Sequence, residues 1–111
     1  MEDCVFCNIV NRTLSSNILF ESETIFVIPD IMPKAPVHFL VIPKKHIPSI
    51  NELTEVDSDL IAEIVLAAKT QAQKMGIAEK GYKLVWNVGK EGGQIIPHLH
   101  LHVLGGKQLP E

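Results

Sequence analysis

The sequence has no block of like charge and no apolar run long enough to span a membrane. Ten basic and 13 acidic residues leave a net charge of −3 over 111 residues. A protein that binds nucleic acid or anionic membrane without specificity needs a basic face, so neither partner is expected. The first residues, Met1-Glu2-Asp3, lack the basic and apolar regions of a signal peptide. We therefore expect a cytoplasmic protein.

Internal repeats and low-complexity stretches are also absent, and there are only two cysteines. Hydrophobic residues make up 46% of the chain and charged residues 21%, a balance typical of a globular protein rather than a disordered one. The length suits one domain with a core of its own. We therefore predict a single domain over residues 1–111.

Apolar segments bounded by proline, glycine or polar turns predict five strands. A shorter apolar segment at residues 5–10 predicts one or two helical turns. Strands dominate, and we predict an α+β fold with an antiparallel sheet. The last two strands flank a glycine-containing turn and can pair as neighbours, which would bring Asn87 close to the final strand. The predicted strands cover residues 18–20, 24–28, 37–42, 82–88 and 98–104.

One long helix is predicted after the third strand. Thr54 with Asp57 three residues later resembles a capping box, and Gly76 is well placed to end the helix. Apolar side chains at helical spacing predict its buried face. These side chains are Ile61, Ile64, Val65, Ala68, Ala72 and Met75.

Three histidines occupy every second position of the apolar segment 97–104. Side chains alternate faces in an extended strand, so His98, His100 and His102 should line one face. A single core histidine satisfied by hydrogen bonds is common, but three in register indicate a site. Strand rise puts the outer two roughly 13 Å apart, too far for one zinc ion with bonds of about 2 Å. The row therefore favours catalysis by neutral imidazole, with at most some of the rings on a metal.

The segment 98–104 also resembles the signature of the histidine triad (HIT) family, in which three histidines alternate with apolar residues. Residues 30–46, Asp-Ile-Met-Pro-Lys-Ala-Pro-Val-His-Phe-Leu-Val-Ile-Pro-Lys-Lys-His, fit its Hint-like branch, and so do Gly92-Gly93-Gln94 and residues 104–107. The resemblance implies the HIT fold, a homodimer, and hydrolysis of purine nucleoside phosphoramidates. The partners implied are purine mononucleotides such as AMP or GMP and their phosphoramidates.

By this resemblance His100 is the nucleophile that attacks the α-phosphorus, and no metal is needed for the chemistry. His102 would bond a phosphate oxygen or the departing amine. His38 matches a further family histidine near the phosphate, although a satisfied buried histidine explains it almost as well. Ile95 departs from the pattern, because many animal members have a serine there.

The resemblance also implies a nucleotide site. Asp30, otherwise an ordinary loop carboxylate, would accept hydrogen bonds from both ribose hydroxyls. Asn87, Gly93 and Gln94 would supply neutral donors to the phosphate, with backbone amides around Gly92 and Gly93 forming a cradle. The positions that match the purine pocket, which composition alone would assign to the core, are Phe6, Ile9, Ile28, Ile31 and Leu40.

Cys4 and Cys7 are open to three interpretations. A redox pair is disfavoured because the βαβ context of thioredoxin-type motifs is absent. They could be inert small residues, or two ligands of a tetrahedral zinc site. HIT members with this Cys-x-x-Cys segment resemble zinc binders that use two histidines matching His46 and His98. We expect structural zinc in that set, with all four positions filled by protein.

Two rival functions use the same residues. A HIT-fold nucleotide-binding regulatory protein with residual hydrolysis would carry the same triad. A zinc-dependent hydrolase would use the triad histidines as catalytic ligands, which their spacing disfavours.

Overall fold

A five-stranded antiparallel sheet forms the centre of the structure, a computed structural model that describes residues 3–111. Met1 and Glu2 lie outside the described residues. The expectation that the first residues are not a signal peptide rests partly on them. The strands follow the order β1-β2-β3-β5-β4, so the last two strands pair as predicted. The predicted α+β class is confirmed. The strands are β1 (Phe20–Glu21), β2 (Ile25–Pro29), β3 (Val37–Pro43), β4 (Tyr82–Val85) and β5 (Leu101–Gly105).

The two faces of the sheet bury different clusters because side chains alternate along each strand. Helix α2 (Ser58–Lys74) covers one face, where Phe39, Val41, Leu101 and Val103 pack. Helix α1 (Val5–Val10) covers the other face. The hydrophobic cluster buried on the α1 face consists of Cys4, Phe6, Ile9, Phe26, Ile28, Leu40 and Ile42.

Helix α2 ends where the sequence predicts, but it begins at Ser58, later than predicted, because the capping box at Thr54 opens the 3-10 turn Glu55–Asp57. The Thr54 N–H donates to Asp57 Oδ2 at 3.0 Å, within a 3-10 turn that leads into the helix. Gly76 follows its end with a φ of 77°, a conformation that glycine adopts readily. The predicted buried face is partly wrong, since Val65 is 38% and Met75 41% exposed. Val65 lies about 100° around the helix from Ile64, and Met75 lies beyond the last helical residue.

The strand ends differ from those predicted. β5 begins at Leu101 instead of residue 98, and β4 ends at Val85 instead of residue 88. The Leu99 N–H donates to the Ile47 carbonyl at 2.7 Å, so a non-strand segment binds the chain just before β5. The first hairpin also shifts, with β1 at Phe20–Glu21 and β2 at Ile25–Pro29.

Over residues 3–111, no helix combines the length and apolar content that crossing a membrane requires.

Candidate active site and metal centre

The three histidines of the row lie on the α1 face of the sheet, opposite Leu99, Leu101 and Val103. His98 and His100 come just before β5, and His102 lies within it. The Phe6 ring meets the rings of both His98 and His100 edge-on, at centroid distances of 5.5 and 5.2 Å. The His100 and His102 rings are 4.9 Å apart. Side chains therefore alternate between the two faces of the sheet from His98 onward, although residues 98–100 come before the hydrogen-bonded strand β5.

One hydrogen bond fixes the tautomer of His100. Its Nδ1 atom lies 2.7 Å from the His98 carbonyl oxygen. A carbonyl oxygen can only accept, so Nδ1 carries the hydrogen and Nε2 keeps a lone pair. Burial lowers the pKa of His100, which favours the neutral ring. A neutral imidazole with a bare Nε2 is the form that a nucleophile requires.

A second chain of hydrogen bonds sets the tautomers of His38 and His102. The Lys34 N–H donates to His38 Nδ1 at 3.1 Å, so the hydrogen of a neutral His38 ring is on Nε2. His38 Nε2 lies 3.0 Å from His102 Nδ1 and donates to it. The hydrogen of His102 is then on Nε2. Burial, followed by the nearby His100 and His38, lowers the pKa of His102 to about 4.

Asp30 lies at the end of this chain. Its Oδ1 accepts the Met32 N–H at 2.8 Å, and its Oδ2 lies 3.3 Å from His38 Nε2. The carboxylate is therefore oriented by both its own loop and His38. Each carboxylate oxygen of Asp30 can accept a further hydrogen bond.

Four of the five residues matched to a purine pocket lie in one cluster on the α1 face. Phe6, Ile9, Ile28 and Leu40 are each no more than 6% exposed. In the ladder Leu40 pairs with both Ile28 and His102, which puts the cluster next to the histidines. Ile31 does not join this cluster, because its side chain is 94% exposed in the loop after Asp30.

The main-chain amides expected to form a phosphate cradle are hydrogen-bonded within the glycine loop. The N–H groups of Gly92, Gly93 and Gln94 all donate to carbonyls within the loop, at 3.0–3.1 Å. Asn87 Nδ2 donates to the Gly92 carbonyl at 2.8 Å. The Gln94 amide donates to the Pro48 and Ile96 carbonyls and accepts from the Gly89 N–H. Asn87 and Gln94 therefore hold the loop that precedes the triad.

Cys4, Cys7, His46 and His98 converge as a candidate metal centre. All four ligand atoms lie within 4.8 Å of one another. Cys4 Sγ is 3.2 Å from His98 Nδ1, and Cys7 Sγ is 3.2 Å from His46 Nδ1. The two Nδ1 atoms are 3.1 Å apart. A tetrahedron with bonds of about 2.3 Å to sulfur and 2.0–2.1 Å to nitrogen has edges of roughly 3.3–3.8 Å, close to these separations.

The hydrogen bonding of His98 also suits a metal ligand. Its Nε2 donates to the Pro43 carbonyl at 2.8 Å, which leaves Nδ1 bare and directed at the cluster. Burial lowers the pKa of His98 to about 4, so the ring is neutral near pH 7. Burial, with Cys4 adding to the effect, raises the pKa of Cys7 to about 11 without a cation. The donor set fits a zinc-type ion that would stabilise the thiolates.

Several groups that shape the site carry no signal in the sequence. The Lys34 N–H and the carbonyls of Pro43 and His98 act through the main chain. Only the fold places them, and no side-chain motif could have identified them.

Comparisons with known proteins identify the family. The family model described as "Scavenger mRNA decapping enzyme C-term binding" matches residues 3–110. The purine nucleoside phosphoramidase of Escherichia coli (strain K12) is 35% identical over 108 residues, which cover 97% of this chain and 91% of that protein.

Solved structures give the same result. A HIT family hydrolase from Legionella pneumophila superposes with a TM-score of 0.95 at 46% identity, covering 97% of this chain and 96% of its own. A HIT family hydrolase from Clostridium thermocellum gives a TM-score of 0.96 at 46% identity, covering 100% and 96%. Fold, histidine row and relatives together define a nucleotide-binding hydrolase. The chain belongs to the histidine triad family, and its fold is the HIT fold.

Proposed function

We propose that this protein hydrolyses the P–N bond of purine nucleoside phosphoramidates of the AMP-amine type, through a nucleotidyl-histidine intermediate on His100. The observation that carries the proposal is the 2.7 Å hydrogen bond from His100 Nδ1 to the His98 carbonyl, which leaves Nε2 bare. The similarity to the Escherichia coli purine nucleoside phosphoramidase supports the substrate class.

In the proposed reaction, His100 Nε2 forms a bond to the α-phosphorus as the P–N bond breaks, and the electron pair stays on the leaving nitrogen. That nitrogen takes a proton from solvent and departs as the amine. We assign the Nε2–H of the neutral His102 ring, oriented by His38, as a hydrogen-bond donor to the leaving group. Water then attacks phosphorus and frees His100, and the proton that water releases returns to solvent. The ring bonded to phosphorus is a cationic leaving group, so this second step needs no metal.

For substrate binding, we propose that Asp30 accepts from the ribose hydroxyls and that the apolar cluster on the α1 face contacts the purine. The cluster lies beside His102 through the Leu40 pairing, and this supports a proposal in which base and phosphate bind on one face. Asn87, Gly93 and Gln94 act by holding the loop before the triad. Ile31, exposed beside Asp30, is a contact at the open side of the site.

We propose zinc as the ion of the Cys4, Cys7, His46 and His98 centre. Bound there, it would supply a structural cross-link between α1, the segment after β3 and the triad segment. Four protein ligands fill a tetrahedral ion, so no position is open for a catalytic water. This argues against the alternative of a zinc-dependent hydrolase.

The test is turnover of adenosine 5′-phosphoramidate by the wild type and by His100→Ala, with AMP binding measured on both. We expect AMP release by the wild type, and nearly complete loss in the variant with AMP binding retained. A variant rate within about tenfold of wild type, or about 1.4 kcal/mol of barrier, would show that His100 is not the nucleophile. Tight AMP binding without turnover by the wild type would instead favour the regulatory nucleotide-binding alternative.

We also propose that the chain acts as a two-fold homodimer. β4 is the last strand of the sheet, Leu84 on it is 41% exposed, and the partly buried Trp86 follows it. Pairing of this edge with its copy would cover these side chains. Light scattering at micromolar concentration should give the mass of two chains, and a mass of one chain would contradict the dimer.

A further inference from the structure

His98 joins the candidate metal centre to His100. The Nδ1 atom of His98 faces the sulfurs of Cys4 and Cys7, at 3.2 and 3.6 Å. Its Nε2 atom is held by the Pro43 carbonyl at 2.8 Å. Its own carbonyl oxygen accepts the hydrogen of His100 Nδ1. The side chain of His98 thus belongs to one site and its main chain to the other.

Helix α1 provides a second connection. Phe6 lies between the two cysteine ligands in the sequence, and its ring contacts the rings of both His98 and His100. The helix has only six residues, and its N-cap is the Cys4 sulfur, which accepts the Cys7 N–H at 3.4 Å. So short a helix is not stable by itself. Its position therefore depends on its contacts, the cysteine ligands among them.

We propose that the metal centre positions the nucleophile. A bound ion would hold α1 and the His98 ring, and the His98 carbonyl and the Phe6 ring would in turn hold His100 with Nε2 free. His98 and Phe6 are positioning residues here, and no chemical step passes through the ion. The inference rests on the proposed function only for its kinetic readout.

Loss of the ion should lower kcat far more than it weakens nucleotide binding. A reacting group misplaced by about 1 Å can cost roughly 100-fold in rate. Asp30 lies in the loop after β2 and is held by Met32 and His38, outside the ligand set. Ribose contacts there should persist when α1 loosens, whereas the proposed purine contacts of Phe6 and Ile9, which lie on α1, should weaken in part.

The experiment compares His46→Ala, which removes a ligand, with His46→Cys, which replaces one ligand by another. Metal content, kcat and the Kd for AMP are measured on each. We expect His46→Ala to lose the ion and about 100-fold in kcat, with the Kd for AMP raised by no more than about tenfold, and His46→Cys to retain both ion and rate. Ile64→Ala, in the core under α2, is the matched control for lost stability and should retain kcat at temperatures where it is folded.

If His46→Ala fails to fold, chelation of the wild type takes its place. Long-range proton–nitrogen NMR at one pH should show His100 with hydrogen on Nδ1 in the metal-bound protein and a mixture of tautomers after chelation. Reconstitution with Co²⁺ should restore kcat as fully as Zn²⁺ does, because only position matters.

Three results would overturn the inference: metal-free protein with unchanged kcat, an unchanged His100 tautomer after chelation, or a kcat set by the identity of the ion. Absence of turnover in the metal-bound wild type would count against the proposed function instead. The tautomer measurement would still test the positioning, since it does not depend on turnover.

Discussion

His38 Nε2 lies 3.0 Å from His102 Nδ1, and this hydrogen bond joins two rings that lie on the neighbouring strands β3 and β5. Because the Lys34 N–H occupies the other nitrogen of His38, the donor in this pair is His38. The bond leaves His102 with its hydrogen on Nε2, the nitrogen that we assign to the leaving group. The orientation of one histidine thus fixes the protonation of the next.

The first prediction concerns this pair. His38→Leu removes the donor and should lower kcat by roughly 10- to 100-fold, because His102 no longer has one preferred tautomer. His38→Gln keeps an N–H donor and should lose less. Steady-state rates and AMP binding on both variants provide the check. Equal rates for the two variants would mean that His38 acts only by filling space.

A second prediction tests the ribose assignment of Asp30. Asp30→Asn should weaken binding of AMP by about 1.5–3 kcal/mol, since a charged acceptor is lost, and should weaken binding of 2′-deoxy-AMP much less. Binding is the proper readout, because Asp30 also faces His38 and a rate would mix two effects. Isothermal titration calorimetry with AMP and with 2′-deoxy-AMP measures the two changes in binding. Equal losses would assign the carboxylate to the histidines alone.

The alternating pattern of the sequence predicted the histidine face well. Period two places His100 and His102 opposite Leu101 and Val103, and local chain geometry is enough to require this. The capping box at Thr54 and Asp57 is also a local feature, and it forms where predicted.

Long-range hydrogen bonds explain what the sequence could not predict. The start of β5 is displaced because the Leu99 N–H binds Ile47, a partner 52 residues away. The glycine loop was expected to offer its amides to a phosphate, but Gly92 and Gly93 use theirs to close the turn. Convergence of the two cysteines with His46 and His98 was suggested by family resemblance, and no local rule could have placed residues up to 94 positions apart.

The third prediction follows from the lowered pKa of His102. A histidine whose pKa is about 4 when folded and about 6.5 when unfolded binds fewer protons in the native state. Stability is therefore full above about pH 6.5 and is lost as the pH falls toward 4. His102 should account for part of this loss.

The measurement is the melting temperature between pH 7 and pH 5, above the range in which most carboxylates titrate. The wild type should lose stability over this interval, and His102→Asn should lose less, since the titrating ring is gone. His38, whose pKa burial also lowers, should contribute in the same direction. Parallel curves for wild type and variant would contradict the assigned shift.

The last prediction concerns zinc and the stability of the chain. Protein purified without chelator should contain about one zinc per chain, bound by two sulfurs at about 2.3 Å and two nitrogens at 2.0–2.1 Å in X-ray absorption. Removal of the ion should lower the melting temperature, because ion binding in the native state adds directly to the free energy of unfolding. The double variant Cys4→Ser/Cys7→Ser should have the lower melting temperature before any chelator is added, and chelator should not lower it further. Free Cys4 and Cys7 thiols in zinc-free purified protein would instead make the pair ordinary packing residues of the α1 face.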